Sequence, residues 1–221
     1  MPLHYFIFTR FSILDGLTGF HSSPSGLFNT DRLDAKFNMF DKVTYPGVIS
    51  QSCKSFTWYI YTSKFLPEKY KVILETYNRD NIKIVYVENF REMSQHQTDI
   101  LEKSTNFATL RLDDDDGISS CFLEELNQYE DKQNSIITFS RGKKYKLVDN
   151  EIIICPIGVK WRNIALGLTA IGFNIFNAGN HGHIDKNKVF NVIENEKPDM
   201  YLLGCSEFCD GKRDFNRHIW K

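Results

Sequence analysis

The sequence contains no run of about 18 apolar residues, the length a helix needs to cross a bilayer, so no membrane span is expected. Its opening, MPLHYFIFTRF, is apolar but short. It has neither a basic leader nor a small-residue cleavage site, which excludes a secretory signal and leaves a first strand as the reading. Cysteine is scarce. The five residues, Cys53, Cys121, Cys155, Cys205 and Cys209, are odd in number and scattered. That excludes a disulfide framework and points to a reducing compartment, taken here as the cytoplasm. Cys205 and Cys209 stand four apart, but no second pair faces them at zinc-site spacing. An excess of one charge sign is also missing: 27 Lys and Arg face 28 Asp and Glu. Nucleic acid is therefore not an expected partner. There is no internal repeat.

With 221 residues, 42% of them hydrophobic, the chain can bury one substantial core. The expected organisation is a single catalytic domain over residues 1–221. The ending HIWK lacks a closing element, so one domain of a longer chain is also expected.

Strand and helix patterns alternate. LHYFIFTRF is dense in β-prone residues and ends abruptly at Thr9-Arg10. Residues 15–30 hold Gly, Ser and Pro in loop proportions. Leu33, Phe37 and Phe40 recur at helical spacing, with Asp31 as a cap. QSCKSFTWYIYTS predicts a buried strand ending at Ser63. A helix begins near Pro67, whose missing N–H is harmless in a first turn. NIKIVYVEN predicts a strand, residues 93–104 a helix, FATLRLD a strand and ISSCFLEELNQY a helix. SIITFSRGKKYKLVDNEIIICP predicts a hairpin turning near Arg141-Gly142-Lys143, and WRNIALGLTAI a short helix. This order predicts an α/β fold: a three-layer α/β/α sandwich with a mainly parallel sheet and a small antiparallel extension.

The feature that stands out is RLDDDDGIS, residues 111–119. Like charges this close raise one another's pKa, so four adjacent carboxylates are costly. They fall at the carboxyl end of a core-like strand, where open α/β sheets bind ligands. A hard divalent cation would relieve the repulsion, taking one or two carboxylates and filling its shell from phosphate and water. In an extended segment, Asp113 and Asp115 would share one face and Asp114 and Asp116 the other. A solvated loop or a helix cap at Asp115 or Asp116 is the plainer alternative. An EF-hand does not fit: from Asp113 the glycine at position 117 comes one residue early.

Together with HYFIFTRFSIL, WYIYTSKFLPEKY and NAGNHGH, the block RLDDDDGIS resembles the rhamnosyltransferase family of glycosyltransferases, over roughly residues 4–190. The wider class is GT-A, a nucleotide-sugar-binding α/β domain with an Asp-x-Asp metal motif. The resemblance implies transfer of a sugar, rhamnose by the family's name, from a UDP- or dTDP-sugar to a glycan acceptor, with Mn²⁺ or Mg²⁺. It assigns Asp113 and Asp115 to the Asp-x-Asp pair, with Asp115 on the metal. Thr9, Arg10, Lys64, Arg111, Asp113 and Asp114 would face the nucleotide sugar, and His181 and His183 would offer a further metal ligand or diphosphate contact. No motif identifies the general base, for which Asp149, Glu151 and Asp185 are candidates. Two rival classes remain: a metal-dependent nucleotidyltransferase or phosphohydrolase, and a non-catalytic carbohydrate-binding module. LTGFHSSPSG is only a loose imitation of the first rival's glycine-rich phosphate loop, and the β-α-β order argues against the usual lectin sandwiches.

Overall fold

A computed structural model describes residues 2–14, 23–162, 164–179, 181, 184 and 189–205. Its centre is a seven-stranded sheet. Strand β1 (His4–Phe11) pairs in parallel with β2 (Phe56–Ser63) on one side and β4 (Phe107–Arg111) on the other. β2 continues in parallel to β3 (Ile82–Val87) at one edge. Beyond β4 lies the antiparallel β10 (Thr169–Ile171), then β6 (Ser135–Phe139) and the parallel edge strand β11 (Asn191–Asn195).

β1 is apolar on both faces because both are covered, as parallel strands require. Tyr5 and Ile7 point into one core with Trp58 and Ile60, under helix α2 (Thr30–Met39) and helix α4 (Glu68–Glu75). Phe6 and Phe8 point into a second core with Tyr61, closed by Met93 and Leu101 of α5 (Phe90–Leu101). Two cores on opposite sheet faces make the three layers the alternating pattern predicts.

A smaller sheet runs β5 (Gly117–Ile118), β12 (Tyr201–Gly204), β7 (Arg141–Val148), β8 (Glu151–Ile154), with β9 (Val159–Lys160) also on β7. It corrects the predicted hairpin. β6 and β7 belong to different sheets, and the chain turns instead at Asp149-Asn150, both at positive φ (49° and 68°). Asp and Asn tolerate that left-handed geometry, which a two-residue hairpin loop needs. The predicted helix at WRNIALGLTAI is also absent among its described residues. Gly167 takes φ 70°, and Thr169–Ile171 slot into the sheet between β4 and β6.

Other differences are of boundary. Asn29, not Asp31, caps α2, accepting from Arg32 N. α5 begins three residues earlier than predicted because Asn89 caps it, accepting from Arg91 N and Glu92 N. The helix predicted after the aspartates is short, Phe122–Leu126, since Gly117–Ile118 first pair with β12. In the loop predicted over residues 15–30, Pro24–Leu27 form one helical turn; residues 15–22 lie outside the described residues.

Candidate functional site

The chain lays down β1, β2 and β3 in one direction, then returns across β1 to place β4 on its other side. That reversal makes the carboxyl ends of β1 and β4 the switch point of the sheet, the place where α/β sheets hold ligands. Arg10 is the last residue but one of β1, and the aspartates follow β4. Leu112 N still bonds Phe8 O (3.1 Å), so the sheet delivers both segments to the same place.

Asp113 forms the outer part of this cluster. Arg111 approaches it with Nε on Oδ1 (3.3 Å) and Nη2 on Oδ2 (3.2 Å). Arg10 Nη2 comes within 3.4 Å of Oδ1. All three side chains are about a fifth to a third exposed: Arg10 29%, Arg111 20% and Asp113 21%. The ring of Phe176 lies under both guanidinium groups, at 5.7 Å from that of Arg10 and 5.9 Å from that of Arg111. Phe90 adds a second ring, 5.5 Å from the Arg10 guanidinium. Phe176 is itself held. Asn174 Oδ1 accepts from Phe176 N, Asn174 Nδ2 donates to the buried Gln97, and Thr109 Oγ1 accepts from Ile175 N.

The inner part is buried. Lys36 Nζ donates to Asp114 Oδ1 (2.8 Å) and Asp115 Oδ2 (3.1 Å), with all three side chains at most 4% exposed. The Tyr145 hydroxyl donates to the Asp115 carbonyl (2.6 Å), and Gly204 N donates to Asp116 Oδ1 (2.8 Å). A Cβ at Gly204 would stand 2.4 Å from the Asp115 carbonyl oxygen, so only glycine lets β12 approach this turn.

The extended alternation predicted for the run does not occur. Asp116 N bonds Asp113 O (3.3 Å), closing a turn, and the neighbours Asp114 and Asp115 reach the same ammonium. The protein's own cations and backbone donors therefore carry much of the charge that the sequence alone leaves uncompensated.

The remaining candidates are dispersed. Thr9 is fully buried, and its hydroxyl accepts from Trp58 Nε1 (2.9 Å). Lys64 follows β2 at the same end of the sheet but is exposed and bonds Glu92 (2.8 Å); that bond holds its ammonium above the ordinary range and the Glu92 carboxyl below its own. Two shallow grooves flank Lys64, neither lined by an aspartate of the turn. Asp149 and Glu151 stand exposed at the β7–β8 turn. His181 is half-buried in a helical turn, and His183 and Asp185 lie outside the described residues.

Lys36, Phe176, Tyr145 and Gly204 are contributors that sequence reasoning misses. Only Lys36 carries a signal: Arg32 and Lys36 sit one turn apart beside Leu33 and Phe37, on the helix face that must be buried. The other three meet the aspartates through long-range contacts with no local pattern.

The family described as "Putative rhamnosyl transferase" matches residues 7–218. The chain belongs to that family. No curated protein matches the sequence. Among solved structures, S. aureus TarS 1–349 in complex with UDP-GlcNAc aligns with a TM-score of 0.52 at 9% identity, covering 96% of this chain and 63% of that one. The complex of the same TarS segment with UDP aligns at 0.50 and 9% identity, covering 92% and 61%. At this identity the likeness is one of fold, and this rhamnosyl transferase family member spans less than two thirds of the TarS segment. The mainly parallel α/β sheet is the fold expected for that family.

A metal ion can be tested against the residues present. Among the described residues no three His, Cys, Asp or Glu side chains are grouped to hold one. A Mg²⁺ or Mn²⁺ ion that shares its shell between one or two carboxylates, phosphate and water needs no such group, and the half-open Asp113 carboxylate is a hard ligand of the right kind. In that sense the site fits.

Proposed function

We propose that the protein moves a sugar from a nucleoside diphosphate donor to a hydroxyl group of a glycan acceptor, with a divalent cation. One observation carries this reading: Arg10 and Arg111 converge on Asp113, above Phe176, at the carboxyl ends of β1 and β4. Guanidinium groups bind phosphate oxygens through paired N–H donors. The two rings back the guanidinium groups with low-dielectric surface, which strengthens their pull on an anion. A diphosphate entering here exchanges part of the hold on Asp113 for its own oxygens and leaves that carboxylate to face a cation.

UDP is the first donor nucleotide to test, since TarS in the two complexes holds UDP and UDP-GlcNAc on a similar fold. A dTDP-sugar, rhamnose included, is the second, following the family description. Asp113 would hold Mn²⁺ or Mg²⁺. Asp115, whose Oδ2 is on Lys36, and His181 and His183 are further candidate ligands. When bound, such an ion neutralises charge on the departing nucleoside diphosphate. Lys36 and Tyr145 keep the aspartate turn in one shape, so that Asp113 does not have to be ordered when donor arrives. The acceptor hydroxyl needs a carboxylate base; Asp149 and Glu151 on the β7–β8 turn, and Asp185, are the candidates.

The test is a thermal-shift panel of UDP, dTDP and GDP, each with Mn²⁺ and with EDTA. A metal-dependent rise with one nucleotide is expected, lost in Asp113→Asn, whose half-open side chain leaves the fold intact. No rise with any nucleotide, or full binding by the variant, overturns the reading. Nucleotide release that never requires an acceptor would instead favour the phosphohydrolase class.

A further inference from the structure

We propose that Gln97 is a positioning residue of the candidate site, acting through Asn174 to fix the Phe176 ring beneath the Arg10 and Arg111 guanidinium groups. Its consequence for donor binding rests on the nucleotide-sugar reading above. The observation is an amide where the helix pattern calls for an apolar side chain. The buried side of α5 is Met93, Gln97 and Leu101, about one turn apart, and Met93 and Leu101 belong to the second core. Gln97 is fully buried between them. Its Oε1 accepts from Asn174 Nδ2 (3.0 Å), while its Nε2 meets no acceptor among the described residues. A neutral hydrogen bond contributes no more than an unpaired buried donor costs, so the amide adds little to stability. A methionine or leucine would complete the apolar stripe. What the amide supplies is the orientation of its partner.

Asn174 precedes the 3₁₀ turn Ile175–Ala178 and caps it, its Oδ1 accepting from Phe176 N (3.1 Å). With its NH₂ end held by Gln97, this amide keeps its oxygen toward Phe176 N. Thr109 Oγ1 accepts from Ile175 N and donates to Phe173 O, both at 2.8 Å, and so fixes where the turn begins. Thr109 lies on β4, the strand that ends at Arg111. The turn that carries Phe176 is therefore tied both to the strand of Arg111 and to α5. The first residue of α5 is Phe90, whose ring stands 5.5 Å from the Arg10 guanidinium. Phe90 and Gln97 are about two turns apart, on one side of the helix. One helix sets both rings of the site, Phe90 directly and Phe176 through the Gln97–Asn174 bond. Phe176 is the ring shared by the two arginines, at 5.7 Å from Arg10 and 5.9 Å from Arg111. A ring free to turn away would leave both guanidinium groups to be ordered when donor arrives, which weakens binding.

The experiment is Gln97→Met in the full chain, which keeps the length of the side chain and removes its amide. Affinity for UDP with Mn²⁺, read by calorimetry, should fall roughly two- to fivefold, the size of one cation–π contact, while the urea midpoint stays or rises. In a Phe176→Leu background the same substitution should change the affinity no further, because its effect passes through the ring. Full affinity in Gln97→Met overturns the proposal. So does an equal loss with and without Phe176, or a loss that tracks a lowered urea midpoint, since either assigns Gln97 a general structural role. Phenylglyoxal labelling of Arg10 and Arg111 without nucleotide, followed by peptide mass mapping, separates this proposal from the donor reading. Both arginines should label faster in Gln97→Met. If the wild type binds no UDP but labelling responds, the donor reading fails and the positioning of the ring stands. An unchanged labelling rate overturns the positioning, whatever the nucleotide result.

Discussion

Replacing Lys36 by methionine isolates the inner part of the site. The substitution keeps the bulk and length of the side chain and removes the ammonium that lies 2.8 Å from Asp114 and 3.1 Å from Asp115. Both carboxylates are almost completely buried, so water cannot replace the lost charge. Removing one partner of a buried pair costs about 3–5 kcal/mol, because the other is left as an uncompensated charge. Here two adjacent carboxylates share the ammonium, which places Lys36→Met toward the upper end of that range. For a chain of this size each kcal/mol lowers Tm by about 2–4 °C, so the variant should melt roughly 8–16 °C lower. Urea unfolding at neutral pH gives the free energy directly. The decisive comparison is the triple variant Lys36→Met, Asp114→Asn, Asp115→Asn. Neutral amides no longer need the ammonium, so the triple should return to within roughly 2 kcal/mol of wild type. A loss below about 1 kcal/mol in Lys36→Met, or a triple as unstable as the single, would refute the claim that Lys36 is the counter-charge of the buried aspartates.

Three further outcomes test other parts of the structure. Gly204→Ala drives a Cβ to 2.4 Å from the Asp115 carbonyl, so β12 or the aspartate turn must shift; about 1–3 kcal/mol of stability should go in urea unfolding, together with donor binding. Arg111→Ala removes two of the contacts on Asp113 and one of the two guanidinium groups that converge on it; nucleotide affinity should fall roughly tenfold or more by calorimetry with the melting temperature little changed. His96 meets the Tyr61 hydroxyl at 3.1 Å, and burial lowers its pKa below the ordinary 6.5. The unfolded chain takes up the proton first, so the contribution of a neutral His96 is full above 6.5 and is lost as pH falls through that value toward the lowered pKa. Urea midpoints followed from about pH 8 to pH 5 should decline less steeply in His96→Gln, with His4, whose pKa burial also lowers, supplying a remainder of the same sign.

Much of the fold is legible in residue order alone. β1 to β4 are readable because strands buried on both faces are continuous apolar runs with abrupt polar ends, and FTWYIYTS and FATLR are such runs. The placement of Arg10 near the end of β1 and of the aspartates beyond β4 follows from the same pattern, although β1 runs on through Phe11. The hairpin lies in the region its pattern predicts but turns elsewhere. RGK is a plausible bend in isolation, but the register of β7 on β12 and β8 keeps it extended and hands the turn to Asp149-Asn150. WRNIALGLTAI departs from its pattern for a related reason: helix propensity loses to two sheet neighbours that pair with Thr169–Ile171 from both sides.

The sequence by itself determined the α/β class, the position of the acidic turn at a strand end and the family to which the chain belongs, because each is written in local spacing and residue type. Only the tertiary structure decided how the four carboxylates are tolerated. Lys36 lies 78 residues from Asp114 in the chain, Gly204 lies 88 from Asp116, and the Phe176 ring reaches Arg111 from the 3₁₀ turn Ile175–Ala178. Electrostatic compensation acts through space at a few ångströms, and contacts of that range between distant segments exist only once the sheet has brought β1, β4 and their neighbours together.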